Sequence, residues 1–375
     1  MSFSVYVHWP FCLSKCPYCD FNSHVASVSD YDIWHQSFKT ALLYHKNHFK
    51  TDRVDTIFFG GGTPSLMPPW LVEKILLDID AIFGFADDIE ITLEANPTSV
   101  EAQKFIDYKQ AGVNRLSMGI QALNDADLRA LGRTHSVSDA MCAFETAKSV
   151  FNNVSFDLIY ARQNQTLSAW EKELHYAMTL AIDHISLYQL TIEEGTMFAN
   201  WYKRGKITVP NDEICEEMYF MTSDILASYG YDHYEISNFA KPNKQARHNL
   251  AYWKYQPYLG IGAGSHGRVF KNDGTLYATV AEKMPQNWLN IVSKNDDAGF
   301  VSCDVVPESE QILEYVLMGL RLSTGIDLTR YPNLQMNKNK LLSYRQMGLL
   351  DYNDTHLWLT QRGRPVMNSI LADIL

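Results

Sequence analysis

Long hydrophobic runs are missing from this 375-residue chain, and no apolar stretch approaches the ~20 residues a membrane-spanning helix needs. No basic segment followed by an apolar one opens it either, so the expectation is a protein that stays in the cytoplasm. Basic residues are in deficit: 32 Lys and Arg against 43 Asp and Glu leave a net charge of -11. That field repels polyanions and excludes general binding to nucleic acid or anionic membrane, while leaving room for a local pocket for a small anion. Cysteine is scarce as well, with 6 in the chain, too few for a disulfide framework. Cys142, Cys215 and Cys303 stand alone in helical or connecting sequence and are expected to be reduced and packed as small hydrophobes. There is no low-complexity tract.

What is present is an alternation. Short β-rich runs at 3–9, 54–59, 89–94, 113–120, 154–160 and 184–191 are separated by amphipathic helical patterns at 30–49, 70–83, 99–111, 138–150 and 168–181. Such alternation predicts parallel βαβ units, either as an open doubly wound sheet or as a partial barrel. Both folds gather binding groups at the carboxyl ends of their strands. The unusual residues fall there: a cysteine loop after the first strand, "GGGTP" after the second, "EANP" after the third and "GIQ" after the fourth, with Asp157 within the fifth. Beyond about residue 210 the alternation stops. A helix at 211–229 leads into "YDHYEISNFA" and "RHNLAYWKYQPYLGIGAGSHG". From about 306 the order is helix, helix, the hairpin "GLLDYNDTHLWLT" and a final helix, which is winged-helix-like. Acids and bases nearly balance there, so packing or a lid role is expected rather than DNA binding.

Cys12, Cys16 and Cys19 form a C-x3-C-x2-C triplet within "HWPFCLSKCPYCDF", with Phe21 where a fourth cysteine could stand. Thiolates this close point to a metal. Structural zinc takes four protein ligands, and the chain has no second C-x2-C pair, although His24 could serve as a fourth ligand. Three free thiols are the remaining alternative, but Lys15, Pro17 and Asp20 read as an exposed loop. A [4Fe–4S] cube is normally held by four cysteines, so three leave one iron with an open position, where metals do chemistry. "GGGTP" at 60–64 allows close backbone approach, or is an ordinary tight turn; no G-K-[ST] follows, which rules out a P-loop.

The triplet resembles the signature of the radical S-adenosylmethionine (SAM) superfamily. The resemblance implies that SAM chelates the open iron and is cleaved by one electron to methionine and a 5′-deoxyadenosyl radical. "YVHWPFCLSKCPYCDF", "FFGGGTPSL", "LEANP", "RLSMGIQ", "LRALGRTH" and "SFDLIY" extend it to oxygen-independent coproporphyrinogen III oxidases and their relatives. By that resemblance Tyr6 and Tyr18 lie near the cluster and SAM. Gly61, Gly62 and Thr63 meet the methionine end, and Glu94 binds the ribose hydroxyls. Gln121 and Asp157 are polar SAM contacts, and Arg133 faces the SAM carboxylate, as a guanidinium fork suits.

Phe21 in place of a fourth cysteine, the presence of only 11 residues before Cys12, and "HNLAYW" at 248–253 make the chain similar to the HemW-type haem chaperones rather than to the oxidases proper. The implied fold is α/β: a partial (β/α)6 barrel over 1–210, an α+β extension over 211–305 with the H-N-x-x-Y-W motif, and a winged-helix-like domain over 306–375. The implied cofactors are a [4Fe–4S] cluster, SAM and haem, with His248 the candidate haem ligand. His266 in "GAGSHG" is a second candidate, or a wall of the SAM pocket. The implied partners are haem, haem-requiring apo-proteins and an electron donor, with peripheral membrane contact through haem acceptors. A porphyrinogen is the ligand in the alternative, an enzyme that decarboxylates coproporphyrinogen propionates. Where the family continues with G-L-P-x-Q after "DLIY", this chain has "ARQNQT" at 161–166, which counts against a second SAM site there. The oligomeric state is not readable.

Overall fold

The computed structural model describes residues 2–180 and 182–375, apart from the side chain at 99. The final position of the helix expected over 168–181 therefore lies outside the described residues. Six parallel strands form the scaffold: β1 (Phe3–Trp9), β2 (Val54–Gly61), β3 (Phe85–Ala95), β4 (Arg115–Gln121), β5 (Val154–Tyr160) and β6 (His184–Gln189). Their near-continuous apolar runs are buried on both faces, as parallel strands covered by helices must be. Side-chain caps start the intervening helices. Asp30, Asn124 and Thr166 accept from first-turn N–H groups, and Ser136 with Asp139 completes a capping box.

The segment after residue 210 extends this same sheet at both edges. Strand Tyr258–Ile261 pairs parallel to β1 and is followed by antiparallel strands His266–Phe270, Leu276–Ala281 and Phe300–Val305. On the far side Asn238–Ala240 pairs antiparallel to β6. The main core is shared throughout, with Trp34 stacked on Trp288 at 5.5 Å. Helices Glu308–Gly319, Lys338–Gln346 and Met367–Ile374 close over a three-stranded sheet around a second core of Val316, Ile326, Leu357 and Ile370.

The structure corrects several expectations. Helix 99–111 is two short pieces, Ser99–Ala102 and Phe105–Gln110. Glu101 turns inward, where its carboxylate accepts from the Asn96 N–H at 2.8 Å and from the Ser65 hydroxyl, and this fixes the first turn separately. Helices Asp125–Ala130 and Met197–Lys203 carried too short a pattern to be predicted. Cys142 and Cys303 are exposed rather than packed. Cys142 lies off the Ala140–Ala143–Phe144–Ala147 stripe of its helix, and Cys303 sits on the sheet's outer edge strand. Cys215 is half-buried. Pro17 is buried within the otherwise exposed cysteine loop. A Cβ at Gly132, whose φ is +72°, would meet Pro17 Cδ at 2.5 Å, so that glycine permits the loop to dock.

Candidate functional site

The carboxyl ends of β1–β6 surround a cavity of about 350 Å³. Its wall includes all three thiols, Tyr18, Gly61, Gly62, Thr63, Glu94, Gln121, Arg133 and Asp157, so the topology brings these separately predicted positions to one place. Parallel register does the alignment: Trp9 lies opposite Gly61, Glu94 opposite Ser117, and Asp157 opposite Ser186.

The cysteine loop is held from the barrel. The Thr63 hydroxyl donates to Cys12 Sγ at 3.4 Å, Arg133 Nη1 donates to Cys16 Sγ at 3.5 Å, and Ser23 Oγ lies 3.9 Å from Cys19 Sγ. Asn96 links two of these supports. Its Oδ1 accepts from Arg133 Nη2 at 2.6 Å, and its Nδ2 donates to Thr63 Oγ1 at 3.4 Å. Sequence reasoning quoted "EANP" but did not assign Asn96; the available signal was a polar side chain directly after the strand end that carries Glu94. Arg133 is thus drawn into the wall, with Nη2 also donating to the Gly119 carbonyl at 3.0 Å. It is not held as a free fork.

The thiols fit a multi-iron ligand set. Burial pushes Cys12 and Cys19 up, so protons must leave as metal enters. Three thiols in the wall of one cavity suit a cube with an iron at each corner. His24 Nε2 donates to Asn22 Oδ1 at 3.2 Å, and His24 is not part of the wall that carries the three thiols.

The glycines let the rim segments pack closely against β1 and the start of the cysteine loop. Gly61 has φ +113°, and a Cβ there would meet the His8 ring at 2.7 Å; one at Gly62 would lie 2.6 Å from the Phe11 carbonyl oxygen. Gln121 ends β4 with φ 75°, at an irregularity in the β4–β5 register. Glu94 is pushed up to about 8, first by burial within the barrel and then by the Asp157 carboxyl. Burial raises Asp157 to about 6 against the opposing pull of Ser186 and Arg115. The two acids titrate as a pair that retains a proton near neutrality. Together they offer both a donor and acceptors, which suits hydroxyl groups. Burial raises Tyr18 far above its ordinary range; its ring tilts against Phe198 at 6.1 Å.

Two predicted residues lie elsewhere. Tyr6 faces a second cavity, of about 630 Å³, that adjoins the first through Glu94 and Gly61; its hydroxyl donates to His8 Nδ1 at 3.0 Å. His248 faces neither cavity and is 1% exposed. The Thr56 hydroxyl donates to Ser4 Oγ at 2.9 Å, so His248 Nδ1–H donates to Thr56 at 2.7 Å, and its Nε2 lone pair accepts from Tyr252 O–H at 2.9 Å. Burial lowers His248 to about 3. The ring stacks on Phe58 at 5.1 Å, and the backbone N–H groups of Arg247 and His248 donate to Glu90. In this arrangement both ring nitrogens of His248 are engaged, so ligation of haem iron by His248 would require the Tyr252 hydroxyl to release Nε2.

The departure at "ARQNQT" also has a local account. Ala161 takes φ 55°, a conformation glycine adopts more easily. Arg162 is 3% exposed and donates to Asp127 Oδ2 at 2.7 Å and to the Glu173 carboxylate. The loop is closed by a buried ion triad rather than by proline.

Two family models match the chain: "Radical SAM superfamily" over residues 6–177 and "HemN C-terminal domain" over 306–366. Among curated proteins, the chain is 38% identical to "Heme chaperone HemW" of Escherichia coli (98% of this chain, 97% of the relative). It is 35% identical to the protein of that name in Haemophilus influenzae (98% and 96%). It is also 35% identical to "Radical S-adenosyl methionine domain-containing protein 1, mitochondrial" of Danio rerio (99% and 86%). Among solved structures, coproporphyrinogen III oxidase (HemN) from E. coli superposes with a TM-score of 0.82 at 20% identity, covering 99% of this chain and 89% of that one. That last likeness is one of fold.

Proposed function

The chain belongs to the radical SAM superfamily, in the family of the HemW haem chaperones, and from that membership we propose that it binds haem and passes it to haem-requiring proteins. The observation that carries the chaperone reading over catalysis is Phe21. It stands where the oxidase pattern has a fourth cysteine and is 62% exposed at the lip of both cavities.

In this proposal Cys12, Cys16 and Cys19 would hold a [4Fe–4S] cluster, and Gly61, Gly62 and Thr63 would meet the methionine end of SAM in the same cavity. A bound, reduced cluster supplies an electron to the sulfonium of SAM. The protein's own residues do the rest. Thr63 and Arg133 donate hydrogen bonds to cluster thiols, which lowers the electron density on sulfur and tunes the site. Asp157 ionises before Glu94, so near neutrality the pair accepts from and donates to ribose hydroxyls. Gln121 adds a polar contact, and the ring of Tyr18 shields the cysteine loop from water. Haem-requiring apo-proteins and an electron donor are the partners. The cytoplasmic setting expected from the sequence is part of the same proposal; among the described residues no helix is long and apolar enough to cross a membrane.

The test uses anaerobically reconstituted protein. Incubated with haem and then with a haem-free acceptor, it should take up haem and transfer it. Incubated with SAM, a strong reductant and coproporphyrinogen III, it should leave the propionates intact by mass spectrometry. Loss of two carboxyl groups, with a coproporphyrinogen oxidase as active control, would overturn the chaperone reading.

A further inference from the structure

The second cavity has a chemistry unlike the first. It lies between the cysteine loop and the loop that opens strand His266–Phe270, and Asn22 joins its two walls. Asn22 Nδ2 donates to the carbonyls of Ala263 and Lys283, both at 3.0 Å, and its own carbonyl accepts from His8 Nε2 at 2.9 Å. A Cβ at Gly264 would lie 2.1 Å from Asn22 Nδ2, so the glycine of "GAGSHG" permits this docking. The next residues of that motif then bring His266 to the cavity edge.

Histidines around the two cavities differ in what their nitrogens do. His8 donates through Nε2 and accepts from Tyr6 at Nδ1, and His135 Nε2 donates to the Ile120 carbonyl at 3.1 Å. Among the described residues His266 is exposed on a cavity wall with no hydrogen-bond partner at either ring nitrogen. The rest of the lining suits a flat amphiphilic dianion. Tyr258 and Tyr252, ring centroids 4.5 Å apart, form an aromatic part of the wall, and the exposed Phe21 lines the same cavity. Lys283, with no ion-pair partner among the described residues, and Lys15, whose Nζ reaches only backbone carbonyls at 3.4 Å, are exposed cations on this cavity, against the exposed carboxylate of Asp20 and the Glu94 carboxyl, which burial raises to about 8 and so keeps largely protonated at neutral pH. A cavity of about 630 Å³ is in the size range of small-molecule and cofactor sites.

We propose that this second cavity is the haem site, with His266 the axial ligand to iron, Phe21 and the tyrosines packed on the porphyrin, and Lys283 and Lys15 beside its propionates. The inference rests on the haem-chaperone reading and says where in the fold that ligand sits. Burial and the neighbouring Arg268 and Lys283 lower His266, so its imidazole is neutral and can give a lone pair to iron at neutral pH. One open edge and one axial ligand suit a site that must release its haem. The two cavities share Lys15, Asp20, Phe21, Gly61 and Glu94, so a change in the cysteine loop reaches haem directly.

The test is titration of ferric haem into the full-length, cluster-reconstituted protein, followed by the Soret band. His266→Gly should shift the band and weaken haem retention about tenfold or more, as loss of an iron–imidazole bond does. Free imidazole added to that variant should restore the wild-type spectrum, which a merely misfolded protein would not allow. Lys283→Glu should weaken retention without changing the iron's spectrum. Unaltered spectrum and retention in His266→Gly, with wild type binding haem normally, would overturn this site and leave the chaperone reading standing. A wild-type protein that takes up no haem would overturn both.

Discussion

The two ends of the barrel use polar residues in opposite ways. At the amino ends of the strands, buried polar groups satisfy one another. Thr56 joins Ser4 to His248, Arg115 Nη2 donates to Ser155 Oγ at 2.8 Å, and His184 Nε2 pairs with the Tyr234 hydroxyl at 2.8 Å. At the carboxyl ends, three thiols and the carboxyls of Glu94 and Asp157 line a cavity. The difference separates a brace from a binding site: a buried polar group that has found its partner within the protein has little left to offer a ligand. His248 and His266 are the sharpest pair, since residue type is the same and only the surroundings differ.

The largest expected effect is at the cavity end. Cys→Ser at position 12, 16 or 19 should abolish the iron–sulfur absorbance while leaving the far-UV circular dichroism unchanged. Variants that keep full cluster content would break the contrast between the two ends. Next is Arg162, an ion-paired group at the same end of the strands. Arg162→Ala leaves Glu173, 7% exposed at its side chain, without its cation, and should cost about 3–5 kcal/mol in urea unfolding. A change below 1 kcal/mol would mean that the rim tolerates unpaired charge as readily as it holds ligands.

His248→Gln should lower stability by about 1–3 kcal/mol, because Thr56 and Tyr252 lose a shared partner, yet leave the haem spectrum as in wild type. An altered Soret band at unchanged stability would return His248 to the ligand role. The smallest effect is electrostatic. Glu94 is held above its ordinary 4.5, at about 8, so the folded state binds this proton more tightly than the unfolded one. The contribution of this pair to the stability of the ligand-free protein should therefore be fullest below about pH 4 and decline as pH rises toward 8, with Asp157 contributing over the lower part. Glu94→Gln should flatten that decline and raise the melting temperature at pH 8 by a few degrees; an unchanged slope would place the titration elsewhere.

Much of this was legible in the sequence because periodicity and special residues act locally. Strands 3–9 and 154–160 were readable from their bounds alone, as continuous apolar runs. The cysteine spacing needs only loop chemistry, and "GGGTP" needs only the absence of a Cβ. Where the pattern was shorter than two turns, as at 125–130, or where a side chain turned inward to a distant loop, as Glu101 does, local signals failed. Cys142 and Cys303 were misplaced for a similar reason: exposure depends on which face of a helix or which edge of a sheet a residue occupies.

The sequence by itself determined the βαβ alternation, the three-thiol loop and the rim positions, since hydrophobic period, backbone freedom and ligand chemistry reside in neighbouring residues. Only the tertiary structure decided which polar groups meet. Asn96 became a link between two thiol supports, Arg162 the centre of an ion triad, His248 a brace and His266 an open imidazole, because hydrogen-bond satisfaction depends on partners up to 261 residues away along the chain.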